Sequence, residues 1–475
     1  MKNAVLGIDI GTSSVKVLCV YPDGRTLRAG RVYMSRDLYG WKKALLGLLS
    51  EMDLTDVCAV GLSSQVGTYI IEGVPNPLNW YDSIGDTECT VWRDGDSPQT
   101  FIREIGMPHP PIRSYPLPRI QYIIDTYGST YEGHPRRICQ PKDYLCWLFT
   151  GNWITDIYSM RGLAHPSGYY SRYFLDKLGI TEDHLPPLTM PNSMAGTVTE
   201  SMASVTGIAP GTPVYCGSND FYAGMLGLGV VNIGDAFDVT GTSEHIGLLQ
   251  NEMDPHTPLV VSPYLHTKVL YGVTASSGSS LNFAIRNYGS VTLNLLQEPF
   301  PNAPLFLPYL NGERAPIWDG NARGVYFGIN ADCSKAELAY SVLEGVTFSI
   351  YHIYENMNGA TEKLIVGGGA SENAFLNRLK ASMFGIPVIS TCEKESSALG
   401  GAIWAAVGSG LSADINDAIR TYVKPNQIYE PITEWTDLLR SRFSVYKTLY
   451  PTLQQTFLHW KQRYTERTDQ NEGEN

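Results

Sequence analysis

The chain has 475 residues, 43% of them hydrophobic and 17% charged, which supports a large core and excludes a mainly disordered polymer. Its 35 basic and 47 acidic side chains leave a net charge of −12 with no long Lys/Arg run, which argues against nucleic acid or an anionic membrane as partner. A phosphorylated ligand remains compatible with that charge, because backbone amides at a helix start bind phosphate without basic side chains.

At roughly 100–200 residues per domain, the length predicts two or more domains. No run of about 18 apolar residues occurs, so no membrane-spanning helix is expected. Asp9 and a Gly-Thr-Ser-Ser turn interrupt the apolar N-terminal stretch, so no secretory leader is read there and a cytoplasmic location is the expectation. The 8 cysteines are scattered without a C-x-x-C pair and are expected as buried thiols. The 9 histidines form no H-E-x-x-H, which argues against a nitrogen-ligated metal centre.

In chain order, the opening predicts a strand with apolar Ala4, Leu6 and Ile8, a turn over 9–14, and a return strand with Val15, Val17 and Cys19. Stretches 74–92 and 107–118, rich in Pro and aromatics, are expected as irregular substrate loops. An apolar strand ending in Gly217-Ser218-Asn219 presents Asp220 before a helix of small residues. Glycines over 223–234 suit a hinge. The turn then recurs as Asp238-Val239-Thr240-Gly241-Thr242-Ser243, with Gly11 and Gly241 separated by about half the chain, which suggests two related halves. Helices are predicted over 336–356, with Leu338, Val342, Val346 and Ile350 on one face, and over 371–384, ending at Gly385 with Pro387 beyond. The boundaries are set at 1–225 and 226–450, with 451–475 as a helix end and a polar tail.

Three segments carry candidate chemistry. The turn over 9–14 offers backbone N–H groups and the hydroxyls of Thr12, Ser13 and Ser14, with Lys16 in reach, as a phosphate tail requires. A carboxylate at Asp9 makes sense there if a divalent cation intervenes; an ordinary hairpin with Asp9 capping its turn fits equally well. Gly367-Gly368-Gly369, between a strand and a helix, lets a flat ligand lie on bare backbone, and Asn373 offers an amide beside it. Asp220 at its strand tip suits a base for a substrate hydroxyl, although a helix N-cap is the commoner role for such an aspartate.

Taken together, these segments resemble the FGGY family of carbohydrate kinases. Gly324-Val325-Tyr326-Phe327-Gly328-Ile329, followed by Glu337-Leu338 and Ser341-Val342-Leu343-Glu344, is similar to the family's C-terminal signature, and Leu307 through Pro316 resembles a second family loop. The resemblance runs from Val5 to about Ala406. It implies an α/β protein with two ribonuclease H-like domains of the actin/Hsp70/hexokinase fold and a cleft between them. It implies ATP and Mg²⁺ as cofactors, Asp220 as catalytic base, and Asp9 near the metal, bound directly or through water. Thr12, Ser13, Ser14 and Lys16 match the first phosphate loop, and Gly241 and Thr242 the second. Gly278, Asn282, Gly368, Gly369 and Asn373 match nucleotide contacts.

The acceptor is less defined. Val66-Gly67 stands where many xylulose and gluconate kinases carry Met-His and glycerol kinases Arg-Glu, and no arginine follows Trp80-Tyr81-Asp82. Gln65, Trp80, Asp82 and Phe221 are the candidate substrate residues. The expected activity is phosphorylation of a small sugar, a pentulose such as xylulose first, with gluconate or another aldonate or polyol as the alternative. A non-catalytic sugar- and nucleotide-binding regulator of the same fold is the reading from another class. The resemblance is compatible with a homodimer and locates no interface.

Overall fold

The computed structural model describes residues 3–471 apart from 83, 85, 109–111, 113, 242 and 253, without side chains at 86, 93, 94 and 461–471. Two mixed sheets organise it. The first contains β1 (Ala4–Ile10), β2 (Ser14–Val20), β3 (Thr26–Val32), β4 (Val57–Ser64), β5 (Met194–Thr197) and β6 (Pro213–Asn219), in the order β5-β6-β4-β1-β2-β3. β1, β4 and β6 run parallel, while β2 pairs antiparallel with β1 and β3 antiparallel with β2. β1 is buried along its whole length, as a strand covered on both faces must be.

The second sheet contains β7 (Ala236–Thr240), β8 (Glu244–Gln250), β9 (Val260–Tyr264), β10 (Thr267–Val273), β11 (Leu364–Gly368), β12 (Val388–Thr391) and β13 (Pro425–Tyr429). Its order is β9-β10-β8-β7-β11-β12-β13, with β7, β11 and β12 parallel. The run β10-β8-β7-β11-β12 therefore repeats the run β3-β2-β1-β4-β6 of the first sheet. The recurrence of the Gly-Thr-Ser turn is thus a recurrence of a whole strand arrangement.

Helices cover the sheets. In the first lobe, α1 (Leu38–Leu49), α2 (Asp86–Gly95), α3 (Pro116–Tyr127) and α4 (Pro141–Thr150) precede α5 (Asp220–Gly227), which leaves β6 directly. In the second, α6 (Ser277–Tyr288) and α7 (Lys335–Glu355) are followed by α8 (Ala374–Phe384), α9 (Ser396–Gly408) and the terminal α10 (Thr433–Asn471). α7 begins in a capping box, Ser334 Oγ accepting from Glu337 N and Glu337 Oε2 accepting from Ser334 N.

α9 lies on the first sheet although its sequence belongs to the second half. A Cβ added at Gly7 would sit 1.8 Å from the Ala398 carbonyl oxygen, and one at Gly400 1.8 Å from that of Ala223. Bare backbone on both sides is what permits this approach. One buried apolar cluster runs from Leu18 and Ala59 through Tyr222, Leu226 and Ala398 to Phe237 and Tyr271, joining the two lobes.

Two expectations need correction. The stretches 74–92 and 107–118 are not wholly irregular: α2 starts within the first and α3 within the second. Pro116 opens a helix because its missing N–H falls where a first turn has no partner anyway. The helix expected from Ser371 starts at Ala374, because Gly369–Glu372 forms a 3-10 turn and Asn373 caps the helix. Among the described residues, no helix is long and apolar enough to cross a membrane.

Candidate active site

Three neighbouring parallel strands end together. Ile10 of β1 lies opposite Ser64 of β4, and Ser64 opposite Asn219 of β6. This register gathers Asp9, Gln65 and Asp220 at the carboxyl ends of the strands, where open α/β sheets bind ligands.

Asp9 is 4% exposed and accepts a hydrogen bond from Ser63 Oγ at 2.9 Å. Burial pushes its pKa above the usual carboxylate range, against the charge of Lys16 and the Ser63 hydroxyl. The turn is closed by Gly11 N donating to Ser14 O rather than by the Asp9 side chain, so the capping alternative falls. Lys16, directly across the hairpin from Asp9, pairs with Glu395 at 2.6 Å.

Asp220 is the first residue of α5, and the cap is Asn219, whose side chain accepts from Tyr222 N. The N-cap alternative for Asp220 therefore also falls. Its Oδ1 accepts from Val66 N at 3.2 Å. Desolvation first, then the charge of Asp9, push its pKa up to about 7, while the amides of Phe221 and Val66 and the charge of Arg161 act the other way. A carboxylate so poised holds or releases a proton near neutral pH.

The second lobe repeats the arrangement without repeating the side chains. Thr240 at the end of β7 lies opposite Gly368 at the end of β11, which brings the Gly241 turn beside the Gly368-Gly369 turn. Gly368 has φ +80°, and a Cβ at Gly369 would meet nothing within 4 Å, so this turn presents open backbone. Gly278 and Asn282 lie one turn apart on one face of α6. Thr242 lies outside the described residues. Asn373 is not in the first helical turn; its Oδ1 accepts from Leu376 N as the cap.

With this geometry in place, residues 41–227 match the N-terminal domain, and residues 237–409 the C-terminal domain, of the FGGY family of carbohydrate kinases. The chain belongs to this family. It is a carbohydrate kinase with the two-lobed α/β fold that the sequence implied. It is similar to a xylulose kinase of Staphylococcus epidermidis, 28% identical with 96% of this chain and 98% of that one covered. It is also similar to a gluconokinase of Bacillus subtilis, 23% identical with 100% and 99% covered. A ligand-bound xylulose kinase from Lactobacillus acidophilus superimposes with a TM-score of 0.84 at 21% identity, covering 96% of this chain and 100% of that one.

Within the kinase, the four candidate acceptor residues occupy different settings. Gln65 is 2% exposed, and its Oε1 has no hydrogen-bond partner among the described residues. Trp80 is half-buried and donates through Nε1 to Thr12 Oγ1 at 3.0 Å, which links the segment 79–82 to the first turn. Asp82 commits Oδ2 to Asn79 N at 2.7 Å, within its own loop. Phe221 packs on Tyr271 with ring centroids 4.6 Å apart, across the lobes.

Three residues of the site have no signal in the local sequence. Arg119 of α3, fully buried, donates to the carbonyls of Trp80 and Asp82 and holds that loop. Glu395, at the start of α9, reaches Lys16 from the other half of the chain. Arg161 lies against Phe221 and Tyr222, next to Asp220. Each acts through a partner far away in sequence, so no spacing pattern marks it.

The residues suit a hard divalent cation held mainly by nucleotide phosphates. Among the described residues, no group of three or more His, Cys, Asp or Glu side chains could hold a metal alone. Magnesium bound through one or two carboxylates and substrate phosphates needs none. Asp9, desolvated and with a single hydroxyl donor, fits that task.

Proposed function

We propose that this kinase transfers the γ-phosphoryl group of ATP to a hydroxyl of a small open-chain sugar, a pentulose such as xylulose first. Asp220 takes the hydroxyl proton, the freed oxygen forms a bond to the γ-phosphorus, and the bond from that phosphorus to the bridging oxygen breaks to release ADP. Magnesium, when bound, neutralises charge on the β- and γ-phosphate oxygens. Asp9 holds the metal, directly or through water. Thr12, Ser13, Ser14 and Lys16 from segment 1–225, with Gly241 and Thr242 from segment 226–450, hold the phosphates. Gly278, Asn282, Gly368, Gly369 and Asn373 hold the nucleoside. Gln65, Trp80, Asp82 and Phe221 face the acceptor.

The observation that carries this reading is the setting of Asp220, a half-buried carboxylate just past the end of β6 and close to Asp9, with its pKa pushed up to about 7. The names of the relatives as xylulose kinases support the choice of acceptor. The test is ATP consumption with Mg²⁺ across pentuloses, hexuloses, aldonates, tetritols and glycerol. One strong acceptor is expected, and its turnover falls by about 10²- to 10⁴-fold in Asp220→Asn, the usual worth of a positioned base. Near-normal turnover in that variant would remove Asp220 from its role.

A further inference from the structure

Arg161 is 7% exposed, and two of its guanidinium nitrogens, Nε and Nη1, are buried without a hydrogen-bond partner among the described residues. Its neighbours are ring faces: the guanidinium carbon is 4.9 Å from the Phe221 centroid, 5.0 Å from those of Tyr115 and Tyr222, and 5.9 Å from that of Tyr271. The tyrosine hydroxyls are engaged, Tyr115 with Tyr271 at 3.1 Å and Tyr222 with Ser262 at 2.5 Å.

Burying a guanidinium with open donors is costly unless an acceptor arrives. Phe221 and Tyr222 directly follow Asp220, and the charge of Arg161 acts on the Asp220 carboxyl, so the open donors lie near the base. The chemistry of that corner is one-sided. Arginine only donates and ring faces accept weakly, so once Asp220 is given to the attacking hydroxyl, another sugar hydroxyl beside Arg161 meets mainly donors. An acceptor-only oxygen suits the corner better.

Resting on the reading of this cleft as the acceptor site, we propose that Arg161 is a specificity-determining residue that donates to a planar C=O oxygen of the sugar. That oxygen is the carbonyl of an open-chain ketose or the carboxylate of a sugar acid. The kinase thereby selects such acceptors over polyols of the same length.

The experiment compares kcat/KM for D-xylulose against xylitol, and for D-gluconate against sorbitol, in wild type, Arg161→Gln and Arg161→Lys. The first pair isolates a ketone and the second a carboxylate. Wild type is expected to prefer the C=O member of at least one pair by 10-fold or more, the usual effect of an unpaired charged donor. Arg161→Gln should shrink that preference by roughly 10- to 100-fold through the acceptor KM, with partial recovery in Arg161→Lys when the partner is a carboxylate. Equal use of polyol and C=O acceptor by wild type, or an unchanged preference in Arg161→Gln, overturns the proposal and leaves the kinase reading standing. Should Arg161→Gln not fold, the wild-type ratios and Arg161→Lys decide. ATP consumption with none of the four acceptors overturns the acceptor reading and this inference together.

Discussion

The two hairpins that open the two sheets share strand order, pairing and a glycine-led turn, yet their acidic residues serve opposite ends. In the second lobe, Lys380 of α8 donates to Asp238 at 2.6 Å and to Glu244 at 2.7 Å, with all three side chains at most 2% exposed. Glu244 also accepts from Thr240 and from Ser277 at the start of α6, so the acids fasten the turn to the neighbouring helix. In the first lobe, Asp9 is equally desolvated but has a hydroxyl donor, while Lys16 is drawn off to Glu395. A carboxylate paired with a buried lysine builds scaffold; one left short of cations keeps its capacity for a ligand.

The sharpest way to break this contrast is Lys380→Met, which leaves two buried carboxylates without their cation. A stability loss of about 3–5 kcal/mol is expected in denaturant unfolding. A loss under about 1 kcal/mol would mean that the pairing is not what holds the second turn. Next in size, Gly400→Ala should destabilise by about 1–3 kcal/mol by forcing α9 off α5 and the first sheet, with Tm as the readout. An unchanged Tm would show that the close approach of α9 is not required.

Asp9→Asn probes the other side of the comparison. Because desolvation disfavours its charge in the fold, neutralising it should leave stability level or higher, while turnover falls about 10- to 100-fold as for a residue orienting a metal. Equal losses in stability and turnover would make Asp9 a scaffold residue like Asp238. The smallest effect is in pH. With Asp220 at about 7, kcat/KM should fall roughly tenfold per pH unit below that value and level off above it, since the base must be deprotonated. The negative charge of Asp9 contributes to that raised value, so Asp9→Asn should move the acid limb to lower pH. A limb that stays in place would mean that the two carboxylates do not interact.

Much of the fold was legible because its signals are local. Alternating apolar residues around Gly-Thr-Ser marked both hairpins, and Ser334 with Glu337 marked the start of α7. The site was legible in part. Asp9 and Asp220 stood out as carboxylates at the ends of apolar strands, but whether either merely capped a turn was open until Ser14 and Asn219 were seen to fill those roles. Lys16 showed its nearness to the turn and not its pairing with Glu395, which comes from 379 positions later, 395 − 16.

The sequence by itself determined the family and the two halves and nominated the residues proposed to hold phosphate, because those depend on backbone turns and on residues close together in the chain. The tertiary structure alone decided the placement of α9 on the first sheet, the division of labour between Asp9 and Asp238, and the ring-walled setting of Arg161. The physical reason is that desolvation and charge pairing depend on what packs against a group in space. Asp9 stands two residues before its glycine and Asp238 three, so the strand period turns them to opposite faces; Lys380 of α8 reaches Asp238, while Asp9 has the Ser63 hydroxyl as donor and Lys16 beside it pairs with Glu395.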